Sequence, residues 1–308
     1  MRLNLHLLRV FFAVANEESF SAAARRLHIS QPAVSKAVSE LERQLGTDLL
    51  IRTGGRADKR LALTDAGSSL YEHARGIFAL EQAALEDMSA RTGLQRGRLI
   101  IGASTTMASY WLPPYLASFA RDHPAIELRV VVGNTHTIVQ ELLDCHLAMA
   151  LVEGPVSEPN VAVRKWRREA LSIVAAPGNH TGGNDLTGSP QLSARELSQH
   201  TWLVREGGSG TADVTRHLLE HYGITPRRVI EIGSNEGIAR AAAAGAGTAV
   251  LPAVMVSDLI QLGLLAELRL RDVATLTRPL FLLEREGRPL PPAAVAFKEL
   301  LETLCSGS

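Results

Sequence analysis

Along the first ninety residues apolar side chains recur at helical spacing; beyond them they gather into short runs separated by amphipathic stretches. Between Asn4 and Asn16 the stripe is Leu5, Leu8, Phe12 and Ala15, widened by Leu7, Phe11 and Val14, which predicts a helix. Ser21 to His28 is rich in Ala and reads as a second helix with Ser21 as its cap. A turn through His28, Ile29 and Ser30 leads to a third helix. Ser30 or Gln31 caps it, and Pro32 lies in the first turn, where its missing N–H costs nothing. Val34, Val38, Leu41 and Leu45 share the inner face of this helix. Pro32, Lys36, Ser39 and Arg43 share the outer face, with Ser35 beside them. A face that is small, polar and cationic suits the reading of a DNA major groove. The runs LLI and LAL then flank RTGGRADKR, a Gly-rich loop with Arg52, Arg56, Lys59 and Arg60, as expected of a hairpin wing lying on a phosphate backbone.

From a cap at Thr64 a long helix is expected to reach about Arg91, with Leu70, Ala74, Ile77, Leu80, Ala84, Leu85 and Met88 as its apolar stripe. The stripe would pair with a second copy, and TGLQRG at 92–97 would end the helix as a hinge. Strands and helices alternate afterwards. RLIIGA, IELRVVVG, LAMALVEG, ALSIVAAP, TWLVRE, RVIEIG, TAVLP and RPLFLLER read as strands. Helices are expected at MASYWLPPYLASFARDH, TIVQELLDC, GTADVTRHLLEHYG, EGIARAAAAG and PPAAVAFKELLETLC. The pattern predicts parallel sheet with crossover helices, in two lobes around a cleft.

Ligands of open parallel sheets bind beyond the C-terminal strand ends. In one lobe that rule selects Ser104, Thr105 and Thr106, then Asn134, Thr135 and His136, then Glu153. In the other it selects Ser209 and Thr211 within GGSGT, and Asn235 with Glu236. Taken singly, each Ser, Thr or Asn is equally a helix cap. Taken together, hydroxyls and backbone N–H groups converging from several helix N-termini favour a small oxyanion or carboxylate. Glu153 and Glu236 oppose an anion unless they are protonated, paired, or receive a hydrogen from it. His136 could supply positive charge, or could be an ordinary surface or capping residue.

Charge changes the picture where composition does not. The chain of 308 residues has a formal net charge of zero. Residues 1–64, however, hold ten Lys/Arg against six Asp/Glu, so a basic head is joined to a mildly acidic body. No apolar run is long enough for a membrane span, and Arg9 interrupts the early apolar residues, so no signal peptide is expected and a cytoplasmic protein fits best. Cys145 and Cys305 lie far apart and suggest neither a disulfide framework nor a zinc site. Cys145, late in an apolar helix, reads as a structural thiol. REGGSGT is no nucleophile elbow, GGRADKR is no P-loop, and no His or Cys pair has metal-ligand spacing. Neither an enzyme nor a cofactor is expected.

SFSAAARRLHISQPAVSKAVSELERQLGTDLLIR closely resembles the DNA-binding signature of the LysR-type transcriptional regulators, and the resemblance extends over essentially the whole chain. It implies an α/β protein with an all-α-rich, winged helix-turn-helix head at 1–64 and a dimerising linker helix at 65–92. A two-lobed effector domain at 93–308 would follow, like a type II periplasmic binding protein. Lobe I would be about 98–166 with 270–305, and lobe II about 167–269. The segments IGASTTMASYWLPPYLASF, VGNTHTIVQELLD, LVEGP, LVREGGSGT and EIGSNEGI are similar to the branch that regulates sulfur assimilation and Calvin-cycle genes. This implies an effector pocket at Ser104, Thr105, Thr106, Thr135, Glu153, Ser209 and Thr211. The Arg usual after SGT is here Ala212, which weighs against a strongly charged effector.

The resulting expectation is an effector-responsive regulator sensing a sulfite- or sulfate-like anion, or else a phosphorylated or carboxylated metabolite. Its partners would be two-fold-related sites on double-stranded DNA, further copies of itself up to a homotetramer, and RNA polymerase. Gln31, Ser35, Lys36 and Ser39 would touch base edges. Arg43 and the wing cations would hold phosphates, with Ser30 and Pro32 completing the face. A competing reading is a solute-binding protein or enzyme with an incidental basic head.

Overall fold

A computed structural model of the chain describes residues 2–53, 60–91, 97–154, 156–178, 191–271, 273 and 275–303. It divides into two compact units, one built on Met1–Leu85 and the other on Glu86–Glu286 with the C-terminal helix.

In the first unit α1 (Leu5–Glu17) starts at Asn4, whose side chain accepts hydrogen bonds from the His6 and Leu7 N–H groups. α2 (Phe20–Leu27) begins earlier than expected. Its cap is Ser19, not Ser21: Ser19 is extended at φ −155° and accepts from the Ala22 N–H at 3.3 Å, whereas Ser21 already lies inside the helix. His28 closes α2 in the left-handed conformation. Ser30 caps α3 (Gln31–Leu45) through the Ala33 N–H. Val10, Ala13 and Val14 of α1, Ala23 and Ala24 of α2, and Val34 and Val38 of α3 close one core; Leu41 joins a second with Leu8 and Phe11. Strands β1 (Leu50–Thr53) and β2 (Arg60–Leu63) pair antiparallel, Leu50 opposite Leu63.

Thr64 caps α4 (Asp65–Arg91), accepting from the Gly67 N–H at 2.9 Å. The stripe of α4 divides in two. Leu70, Ala74 and Ile77 pack into the core around Leu8 and Phe11, while Leu80, Leu85 and Met88 are 46%, 61% and 58% exposed.

The second unit opens with β3 (Gly97–Ser104), a π-helical turn at Met107–Trp111, α5 (Pro113–Asp122), β4 (Ile126–Gly133), α6 (Thr135–Leu143), β5 (Met149–Glu153) and β6 (Val161–Ala175). It continues with β7 (Gln191–Leu192), α7 (Ala194–Ser198), β8 (Thr201–Val204), α8 (Gly210–His221), β9 (Arg228–Glu231) and α9 (Asn235–Ala243). β10 (Ala249–Pro252), α10 (Ala253–Gln261), β11 (Ala266–Leu270), β12 (Leu276–Arg285) and α11 (Pro292–Thr303) complete it.

One helix expected over residues 107–123 is thus two. Pro113 and Pro114 remove two N–H donors, and the turn before them closes instead through a Leu112 N–H to Met107 carbonyl bond of 2.9 Å. The expected all-parallel sheet is mixed. β3 pairs parallel with β4 and β5, and β8 with β9. β12 runs antiparallel to both β5 and β6, and β10 and β11 run antiparallel to β6. With 15 residues, β6 is long enough to serve both lobes: Val161 to Leu171 pair with β12, and Leu171 to Ala175 pair with β10 or β11. Each lobe closes its own core, around Leu99, Ile101, Phe119 and Phe297 in one and around Ile173, Trp202, Leu218 and Val250 in the other. Cys145 lies past the end of α6, half-buried at φ 62°, rather than within the helix. Among the described residues no helix is long and apolar enough to cross a membrane.

Candidate functional site: a recognition helix and an interlobe cleft

On the head, burial of Val34, Val38 and Leu41 turns the opposite face of α3 outward. Gln31, Pro32, Lys36, Ser39 and Arg43 are exposed, and Ser35 is half-buried beside them. Ser30 is exposed too, but its hydroxyl oxygen is occupied in capping. Arg43 is not a free cation. It donates to Glu40 through Nε (2.9 Å) and Nη2 (2.5 Å), and these bonds hold the Glu40 carboxyl below the usual carboxylate range, helped by Gln44. Any phosphate contact by Arg43 must therefore compete with Glu40. Arg52 and Arg60 sit in the hairpin strands, whereas Arg56 and Lys59 lie outside the described residues.

In the body, the strand-end residues come together across the two lobes. Ser104, the last residue of β3, donates its hydroxyl hydrogen to the Glu153 carboxyl at the end of β5. Thr135 opens α6 and donates to the Glu153 carbonyl at 2.8 Å. Asn235, at the start of α9, donates through Nδ2 to Thr106 at 3.0 Å and to Thr211 at 3.5 Å, tying the lobes to each other. Ser104, Thr106, Thr135, Glu153, Ser209, Thr211 and Asn235 are all buried, and Thr105 is half-buried.

The hydroxyl and backbone groups are less free than expected. Ser209 caps α8 by accepting from the Thr211 N–H, and Ser234, not Asn235, caps α9. The His136 N–H donates to the Gly208 carbonyl at 3.2 Å, while its ring is exposed. Glu236 stands outside the cluster, exposed and 3.8 Å from Arg240.

Two charged residues that strand-end reasoning missed lie at the centre. Arg278 of β12, 1% exposed, donates through Nη1 to Thr211 (2.8 Å) and through Nε to Glu169 of β6 (2.7 Å), its direct partner across the strand pair. Its Nη2 is 2.6 Å from Glu169 and 3.7 Å from Glu153, without the alignment of a hydrogen bond to either. The Trp111 indole N–H also donates to Glu169, at 2.6 Å. Arg278 opens the run RPLFLLER and Glu169 sits in RREAL, where a charge reads as the solvated edge of a strand. Nothing local to either segment places them opposite each other.

Between the lobes Asn134, the cap of α6, also donates to Glu206 at 3.4 Å. Buried Arg205 grips the same carboxylate through two bonds of 2.7 and 2.8 Å, and this holds Glu206 below the usual carboxylate range. The lobes touch closely where α8 begins. A side chain at Gly210 would put Cβ 2.0 Å from the Glu153 carbonyl oxygen, and one at Gly154 would lie 2.8 Å from the Gly210 Cα. Among the described residues no group of three or more His, Cys, Asp or Glu could hold a metal ion.

A winged helix-turn-helix head followed by a two-lobed body whose lobes meet at a buried polar cluster defines a DNA-binding regulator that carries a ligand-binding domain. Residues 5–68 match the family described as "Bacterial regulatory helix-turn-helix protein, lysR family", and residues 92–306 match "LysR substrate binding domain". The chain belongs to the LysR family of transcriptional regulators and is not an enzyme. It is 33% identical over 255 residues to the transcriptional regulator CysL of Bacillus subtilis (strain 168), covering 82% of each chain. It is 31% identical over 308 residues to the RuBisCO operon transcriptional regulator of Allochromatium vinosum, covering 98% of this chain and 96% of that one. Among solved structures, full-length OxyR from Pseudomonas aeruginosa has the same fold with a TM-score of 0.71 at 23% identity, over 98% of this chain and 95% of that one. ArgP from Mycobacterium tuberculosis also scores 0.71 at 23% identity, over 99% and 98%.

Proposed function

We propose that this regulator senses a small anion, sulfite- or sulfate-like, in the cleft between its lobes. The observation that carries the reading is Arg278: a buried guanidinium at the meeting of both lobes, bonded to Thr211, which with Thr106 also accepts from Asn235. It supplies the positive charge that Ala212 does not, and that His136, with its ring exposed, offers only at the rim. Thr105 and Ser209 complete the lining, while Glu236 acts at the entrance. A carboxylated or phosphorylated metabolite is the alternative, because the same guanidinium would hold its charged group.

On the head, Gln31, Ser35, Lys36 and Ser39 read base edges; Arg43, Arg52, Arg56, Lys59 and Arg60 hold phosphates. Residues 1–64 act as the DNA-binding domain, 65–92 as the dimerising helix and 93–308 as the effector domain. The exposed stripe of Leu80, Leu85 and Met88 supports pairing of α4 with a second copy and, through further contacts, a homotetramer working with RNA polymerase in the cytoplasm.

Thermal unfolding against a panel of oxyanions and carboxylates tests the effector. A ligand at 100 times its dissociation constant should add about 2.7 kcal/mol of stability. The shift should vanish in Thr105→Ala; a shift untouched by that substitution would place the ligand elsewhere.

A further inference from the structure

The floor of the cleft holds more hydrogen-bond acceptors than an ionised oxyanion can satisfy. Glu153 and Glu169 set two carboxyl groups against the single Arg278 guanidinium. Asn235 has given its Nδ2 to Thr106 and Thr211, and its amide oxygen is buried without a hydrogen-bond partner. An oxyanion without a proton adds only lone pairs to a place already rich in them, and leaves the amide oxygen unmet. A ligand with an O–H of its own meets it. Thr106 and Thr211 both accept bonds from Asn235, so their own hydroxyl hydrogens are available to the charged oxygens of a ligand.

We propose that the cleft binds its anion in a hydrogen-bearing form, as a protonated oxyanion or an anion carrying a hydroxyl. The ligand's O–H is donated to Asn235 Oδ1 or to the Glu153 carboxyl, and its charged oxygens face Arg278, Thr106 and Thr211. Asn235 and Glu153 then act as specificity residues that count protons on the ligand. The inference rests on the anion-effector reading above. Sulfate, which has no proton to give near neutrality, is excluded, and hydrogen sulfite or a hydrogen phosphate is admitted.

Calorimetric titration of the full-length protein with sulfite, phosphate and sulfate, from about pH 6 to about pH 8.5, tests this. Sulfite should bind at low pH, and its apparent dissociation constant should rise about tenfold per pH unit once the pH passes the loss of its single proton, whereas phosphate, which keeps an O–H throughout this range, should show no such loss. Sulfate should bind at least about a hundredfold more weakly throughout. A protein group titrating instead would move all three anions together, against the proposal. In Glu153→Gln the new amide can donate as well as accept, so sulfate should gain affinity and the pH slope of sulfite should flatten. The wild-type series stands without that variant should it fail to fold. If sulfate and sulfite bind equally with no pH slope, the proposal is overturned and the anion site remains. The same result is expected if the Asn235 amide is turned over to present N–H donors. If no anion binds while an uncharged metabolite shifts the unfolding temperature, both readings fall.

Discussion

The outer face of α3 and the polar cluster between the lobes are the two proposed ligand sites, and they are constructed in opposite ways. The outer face of α3 is exposed and comes from a single stretch of 15 residues, in which a helical period separates Lys36 and Ser39 from Val34 and Val38. Each of its side chains can change without disturbing the core. The cleft is buried and gathers Ser104, Glu153, Glu169, Thr211, Asn235 and Arg278 from separate strands and helices, each bonded to another. A surface built by periodicity is tuned residue by residue. A buried polar network stands or fails as a unit, because each lost partner leaves a group unsatisfied.

The sharpest contrast is between Arg278→Ala and Lys36→Ala. Removing Arg278 leaves two buried carboxyl groups without their cation and should destabilise the body by about 3–5 kcal/mol. Chemical denaturation would show this, and a loss under about 1 kcal/mol would mean the cluster is not a unit. Lys36→Ala should leave stability unchanged while weakening cognate DNA binding by about 1–3 kcal/mol. An equal loss on random DNA, read by fluorescence anisotropy, would reduce Lys36 to a phosphate contact.

Gly210→Ala probes the approach of the lobes. The added Cβ meets the Glu153 carbonyl, so the body should lose about 1–3 kcal/mol and the effector response should fail. Binding of random DNA by the head should persist; a normal effector response would show that the lobes need not approach at this point. Within the head, Ser19→Ala should cost about 1 kcal/mol through loss of the α2 cap. Ser21→Ala, inside the helix, should stay within about 0.5 kcal/mol in the same thermal unfolding measurement. The smallest effect concerns pH. Arg205 holds Glu206 below its ordinary range, so the Asn134–Glu206 contact is intact above that range and is lost as the pH falls through the lowered value. Effector affinity should weaken there, more in wild type than in Glu206→Gln; identical acid limbs would remove Glu206 from effector binding.

Much of the molecule follows from local rules that the chain states openly. Helical periods place α1, α3 and α4, and Ser30 and Thr64 mark two helix starts. Strand ends preceding helices single out Ser104, Thr135, Glu153 and Thr211, which do meet. Where two local signals compete, reading the chain goes astray: Ser19 and Ser21 both suit a cap, and the first is used, with Phe20 inside the helix and packed on the head core.

What the tertiary structure alone decided is the charge of the cleft. Glu169 and Arg278 are 109 residues apart and face each other because β6 and β12 are paired in one register. Strand pairing between distant segments leaves no mark on either segment's own pattern, whereas helical periodicity and capping are written within a few residues of where they act. The sequence by itself therefore determined that the head is a DNA-reading domain and which strand-end hydroxyls come together between the lobes. The register of two long strands determined that an arginine between two acids lies beneath them.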